Sequence, residues 1–151
     1  MDPKYYKDKI EELIPKFKTA KFVHNGRSLD EGIDCLGFII VFFKEFGVEI
    51  PSDDGRYIDE DWYKNEPLRY IDAIRNFSKK EIPFKNLRPL DMIYLAISHN
   101  IITHTGIMIN KREFAHMSPK SGFLISKLER HWKKRYRGAI RLIEDENLDS
   151  I

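Results

Sequence analysis

The spacing of apolar residues changes partway along the chain. Between Pro3 and Phe17, Tyr6, Ile10, Leu13, Ile14 and Phe17 recur at intervals of three and four, the stripe of an amphipathic helix. Pro15 weakens its last turn, because proline lacks the N–H that a helix interior needs. Asp34 to Phe46 is apolar on nearly every side and stops at Gly47, a residue suited to the left-handed position that ends helices. This predicts a central buried helix. A strand is the alternative for such β-branched and aromatic residues, but thirteen positions without a turn signal favour the helix.

From Leu87 onward the pattern becomes short alternating runs. Strands are expected at Met92 to Ile97, Ile101 to Ile109, Glu113 to Met117 and Gly138 to Leu142. They are separated by Ser98-His99-Asn100, by Asn110-Lys111-Arg112 and by a longer basic segment. Helices first and strands afterwards predict an α+β fold, a buried helix packed on an antiparallel sheet. The polar, acidic and aromatic stretch from Pro51 to Phe84 is expected to hold a helix around Leu68 to Phe77. No repeat or Gly/Ser linker interrupts the 151 residues, so residues 1–151 are read as one domain.

Composition narrows the class. Apolar residues make up 42% and charged residues 33%, the balance of a soluble globule. The longest run free of polar side chains, Leu36 to Phe43, falls well short of the roughly 18 to 20 residues of a membrane span. The N-terminus lacks the apolar stretch of a secretory signal, so synthesis for the cytoplasm is expected. A net charge of +2 hides a basic stretch, Lys120 to Arg141, with eight basic residues against one acid. Within it, His131-Trp132-Lys133-Lys134-Arg135-Tyr136-Arg137 is read as a solvated connection to the last strand rather than a nucleic-acid patch. An acidic peptide substrate is also compatible with it.

A lone cysteine, Cys35, rules out an internal disulfide and a multi-cysteine zinc site, leaving packing or chemistry. It sits at the start of the predicted buried helix, where unpaired N–H groups and the helix dipole favour a thiolate. A cysteine nucleophile needs a base, and the base needs a group that orients it. Alternation puts His104 on one sheet face with Ile102, Gly106 and Met108, and Gly106 leaves an open patch beside the imidazole. His116 follows twelve residues later, so a hairpin with a three- or five-residue loop around Lys111, which the sequence permits, would pair the two histidines directly on one face. A two-residue loop would separate them. His24, His99 and His131 are read as ordinary polar residues. A metal site from His99, His104 and His116 has no supporting ligand spacing, so no metal or other cofactor is expected.

These segments together resemble the NlpC/P60 family of papain-like cysteine peptidases, in order from Phe22 to Leu142. Phe22-Val23-His24-Asn25-Gly26 is similar to the family's Tyr-x-x-Gly-Gly segment, and Gly32-Ile33-Asp34-Cys35-Leu36-Gly37-Phe38 to its nucleophile motif. Gly47-Val48-Glu49-Ile50-Pro51 resembles the exit from the nucleophile helix, and Leu87-Arg88-Pro89-Leu90-Asp91 the L-x-P-G-D entry to the sheet. His104-Thr105-Gly106-Ile107-Met108-Ile109 resembles H-x-G-[IV]-Y-[IL], Phe114-Ala115-His116 the strand bearing the third catalytic residue, and Tyr136 to Arg141 the closing strand.

The resemblance implies a papain-like fold with Cys35 as nucleophile, His104 as base and His116 as its orienter. It also implies Phe22, Asp34, Leu36 and Gly106 at the substrate. The implied reaction is amide hydrolysis in the stem peptides of cell-wall peptidoglycan, through a thioester. Phe22, Asn25, Leu36 and Leu90 depart from the family pattern and bear on substrate identity. The bulky Leu36 and the insert from Pro51 to Leu87 are closest in style to the phage-tail and gene-transfer-agent branch, which implies phage-tail proteins as partners. Two rivals stand beside this reading: a deamidase or acyltransferase of the same fold, and a non-catalytic tail-assembly module.

Overall fold

The computed structural model describes residues 2–50, 80–98 and 101–150. The helix expected around Leu68 to Phe77 and most of the insert behind the phage-tail comparison lie outside them.

Helix α1 runs over Pro3–Lys18, with Asp2 capping its start by accepting the Tyr5 N–H at 2.9 Å. Tyr6, Ile10, Leu13 and Phe17 form its buried stripe. The helix continues through Pro15, against the expectation of a weak last turn. Pro15 lies on the exposed side, where water can satisfy the Glu11 carbonyl that the missing N–H leaves unpaired.

Helix α2 spans Cys35–Lys44 and closes as the sequence predicts: Gly47 adopts φ +78°, with its N–H on the Lys44 carbonyl and the Val48 N–H on that of Phe43. Phe38, Ile39, Phe42 and Phe43 are fully buried, and Phe17 of α1 meets Phe38 edge-on at 5.2 Å between centroids. Before α2, a loop carries two short paired strands, β1 (Arg27–Ser28) and β2 (Gly32–Ile33). It presses against the first turn of α2 so closely that a Cβ on Gly37 would land on the Gly26 carbonyl oxygen.

Five antiparallel strands follow: β3 (Asp91–Ser98), β4 (Ile101–Met108), β5 (Glu113–Ser118), β6 (Gly122–Lys127) and β7 (Tyr136–Arg141), in the spatial order β6-β5-β4-β3-β7. One face, with Met92, Tyr94, Ile107, Ala115 and Met117, packs on α1 and α2. The other face, with Ile93, Leu95, Met108 and Phe114, is covered by Ile82, Leu87, Leu128 and Trp132. Strand β6 and a short helix α3 (His131–Arg135) occupy what reads in the sequence as one basic connection. Among the described residues no helix is long and apolar enough to cross a membrane.

Two departures from the family pattern have backbone explanations. Asn25 and Leu90 stand where the pattern has glycine, and both have positive φ, 61° and 71°. Leu90 is 1% exposed and packs with α1 and α2, so its substitution is a matter of the core and not of the substrate. Beside it, Asp91 accepts both Arg141 Nε and Nη2 at 2.8 Å, tying the entry of β3 to the closing strand.

Candidate active site

Cys35 is the first residue of α2 because Asp34 caps that helix. Asp34 Oδ1 accepts the Gly37 N–H at 2.7 Å and Arg27 Nη1 at 2.9 Å, and Oδ2 accepts the Asn25 N–H at 2.9 Å. One carboxylate thus joins the loop, the helix start and a guanidinium. Strand β4 holds Cys35 from two sides. Its sulfur lies 3.9 Å from the Thr103 carbonyl oxygen, and its own carbonyl accepts the Thr105 hydroxyl at 3.3 Å. These are the two neighbours of His104.

The strand pairing explains why Thr103 is available. Leu95 pairs with His104 and Ala96 with Ile102, so Thr103 is an extra residue bulged out of the β3–β4 ladder. Bulges bend a strand and re-aim the side chains beside them. Here the bulge directly precedes His104.

His104 and His116 share the sheet face of Met108 and Phe114, away from the body of α2. The hairpin loop is odd, Asn110, Lys111 and Arg112 lying between the residues of the Ile109–Glu113 backbone bond. Direct pairing of the two histidines is corrected, however. Ile107 pairs with Ala115 and Met108 with Phe114, so continuing the register sets His116 against Gly106 and diagonal to His104. The rings bridge that diagonal, with His104 Nε2 2.8 Å from His116 Nδ1. His116 Nε2 in turn lies 2.8 Å from the Ser126 hydroxyl on β6.

Both histidines are buried, at 3% and 1% exposure. Burial pushes the pKa of His104 down to about 3, with a further contribution from His116, and burial alone takes His116 down to about 4. Both rings are therefore neutral near pH 7, and their hydrogen bond is one between two imidazole tautomers. Trp132 closes the pair from α3. Its indole stacks on His104 at 6.1 Å and meets His116 edge-on at 5.0 Å.

Of the residues expected at the substrate, three are buried. Leu36 is 8% exposed and Asp34 is 9% exposed, its carboxylate engaged by protein donors. Over Gly106 the expected open patch is filled, since the Phe114 ring comes within 2.6 Å of where a Cβ would stand. Phe22 is half-buried, bridged to Ile33 and packed on the edge of the core. Two residues at the site were not anticipated, Ser126 and Trp132. Counting across the tight turn between β5 and β6, where Ser118 pairs with Gly122, would have set Leu124 opposite His116 and Ser126 diagonal to it.

The NlpC/P60 family profile matches residues 19–141. The murein DD-endopeptidase MepS/murein LD-carboxypeptidase of Escherichia coli strain K12 is 33% identical over 139 residues, 91% of this chain and 63% of that protein. The chain thus spans less than two thirds of that relative. Among solved structures, an NlpC/P60 family protein from Bacillus cereus superposes with a TM-score of 0.64 at 20% identity, over 90% of this chain and 40% of the other. The P60 domain of an antigen from M. avium subspecies paratuberculosis gives 0.64 at 16% identity, over 95% of this chain and 98% of the other. The fold is α+β and papain-like, and the chain belongs to the NlpC/P60 family.

Proposed function

We propose that this protein is a cysteine hydrolase that cleaves amide bonds in peptidoglycan stem peptides, with Cys35, His104 and His116 as its reacting set. One observation carries the reading: His104, hydrogen-bonded to the neutral His116 of the neighbouring strand, stands on the strand whose bulge and flanking threonine hold a cysteine at a helix start. The relative at 33% identity, named as a murein endopeptidase, supports the choice of wall peptide.

His104 uses Nε2 toward His116, so Nδ1 is its nitrogen for chemistry. The Cys35 thiol gives up its proton to Nδ1, and the thiolate attacks the amide carbonyl carbon. The oxyanion that forms lies at the start of α2, where first-turn N–H groups and the helix dipole stabilise negative charge. The His104 imidazolium then passes its proton to the departing amine as the C–N bond breaks, leaving a thioester on Cys35. Water enters, His104 takes its proton, and attack on the thioester releases the carboxylic acid and restores the thiol. His116, neutral and behind Nε2, accepts the His104 N–H throughout and steadies the imidazolium.

The test is incubation with purified muropeptides and identification of fragments by mass. Cleavage within the stem peptide is expected. Absence of cleavage with a reactive Cys35 would favour a deamidase or acyltransferase, and an unreactive Cys35 a non-catalytic assembly module. Carriage on a phage tail is part of this proposal only as a setting, to be tested by looking for the protein in purified particles.

A further inference from the structure

His104, His116 and Ser126 lie on one sheet face along a diagonal that crosses β4, β5 and β6. The Phe114–Met108 and Phe114–Ser126 pairings set the line, and two contacts of 2.8 Å join its members. Each imidazole has one N–H and one lone pair, so the direction of one hydrogen bond fixes that of the next. In one polarity His104 carries its proton on Nε2 and gives it to His116 Nδ1, and His116 carries its proton on Nε2 and gives it to Ser126 Oγ. In the other, every proton moves to the opposite nitrogen, and His104 carries an N–H on Nδ1 in place of a lone pair. Only the first leaves a lone pair on Nδ1 to accept the thiol proton.

We infer that Ser126 is a positioning residue for the reaction, supplying the acceptor that lets His116 hold the tautomer that makes His104 a base. This rests on the proposed function. The physical reason is the asymmetry between a buried donor and a buried acceptor. His116 is 1% exposed, so an Nε2–H without an acceptor bears the cost of a lost hydrogen bond, whereas a bare lone pair there costs less. Ser126 supplies that acceptor, and, being half-buried, can turn its own hydroxyl proton outward. Removing the hydroxyl leaves His116 better satisfied with its proton on Nδ1, given to His104 Nε2. That reverses the line and caps the base.

The experiment compares the wild type with Ser126→Ala and Ser126→Thr, in the full chain. Nitrogen-15 shifts of the His116 ring, assigned with a His116→Gln control, report which nitrogen bears the proton. The wild type should show Nε2–H on His116 and Ser126→Ala a shift toward Nδ1–H, with Ser126→Thr resembling the wild type. On muropeptides, Ser126→Ala should lower kcat on the order of tenfold with KM little changed, and Ser126→Thr should recover most of the loss. An unchanged His116 tautomer in Ser126→Ala overturns the inference, as does a changed tautomer with kcat intact. Failure of the wild type to cleave muropeptides counts against the proposed substrate instead, and the ring shifts still decide the tautomer claim.

Discussion

His104 and His116 meet across the diagonal of a hairpin, Nε2 to Nδ1 at 2.8 Å, with both rings buried and neutral. A neutral ring behind a base orients it and accepts its proton without adding negative charge, which sets the scale of what each histidine contributes.

His104→Ala should abolish measurable turnover, because on the proposed mechanism it removes the proton carrier. His116→Ala should be milder, a loss of roughly ten- to a thousandfold in kcat, since the base still finds the useful tautomer part of the time. Asn or Gln at position 116 should recover part of that, because an amide oxygen accepts the His104 N–H. Rates on a wall tetrapeptide, with circular dichroism to confirm folding, test the order. A fully active His116→Ala contradicts it.

The same burial makes stability depend on pH. The two histidines titrate near 6.5 when unfolded but near 3 and 4 when folded, so between those values the unfolded chain binds more protons. Their stabilising contribution is complete above pH 6.5 and is lost as pH falls toward the folded values. Between pH 7 and 5.5 the pair should cost the protein roughly 2 kcal/mol, read by urea unfolding. A variant with glutamine at both positions should show a much flatter change. Equal slopes in the two proteins would mean that the rings are not held neutral.

Asp34 is assigned here to structure. Asp34→Ala removes a helix cap and leaves Arg27 without its carboxylate, so a loss of about 1 to 3 kcal/mol is expected in denaturant unfolding. Asp34→Asn should restore the cap and part of the stability. If Asp34→Ala keeps full stability and raises only KM, the residue belongs with the substrate after all.

The residues that announce the family in the sequence are those whose physics is local. Gly47 ends α2 through its own φ and Asp34 caps three residues ahead, whereas counting puts both histidines on one face only once the loop around Lys111 is known to be odd. What stayed hidden depends on relations between strands. Direct pairing of His104 with His116 failed because register is set by where the loop is centred, and here that centre is one residue further along than direct pairing requires. Strand β6 was obscured by its place at the sheet edge, where Ile125 and Lys127 face water and the alternation is weak. Trp132 sits in a helix of five residues, too short for a periodic pattern, so its packing on both histidines has no signature in the basic run around it.

On the proposed mechanism Cys35 forms a covalent bond with the wall peptide, and the mass of the intact protein caught during turnover reports that bond. Acid quenching while muropeptide is being consumed should yield wild-type protein heavier by the acyl fragment, and Cys35→Ala should show neither the added mass nor cleavage. Cleavage by Cys35→Ala at the wild-type rate would exclude Cys35 as the nucleophile.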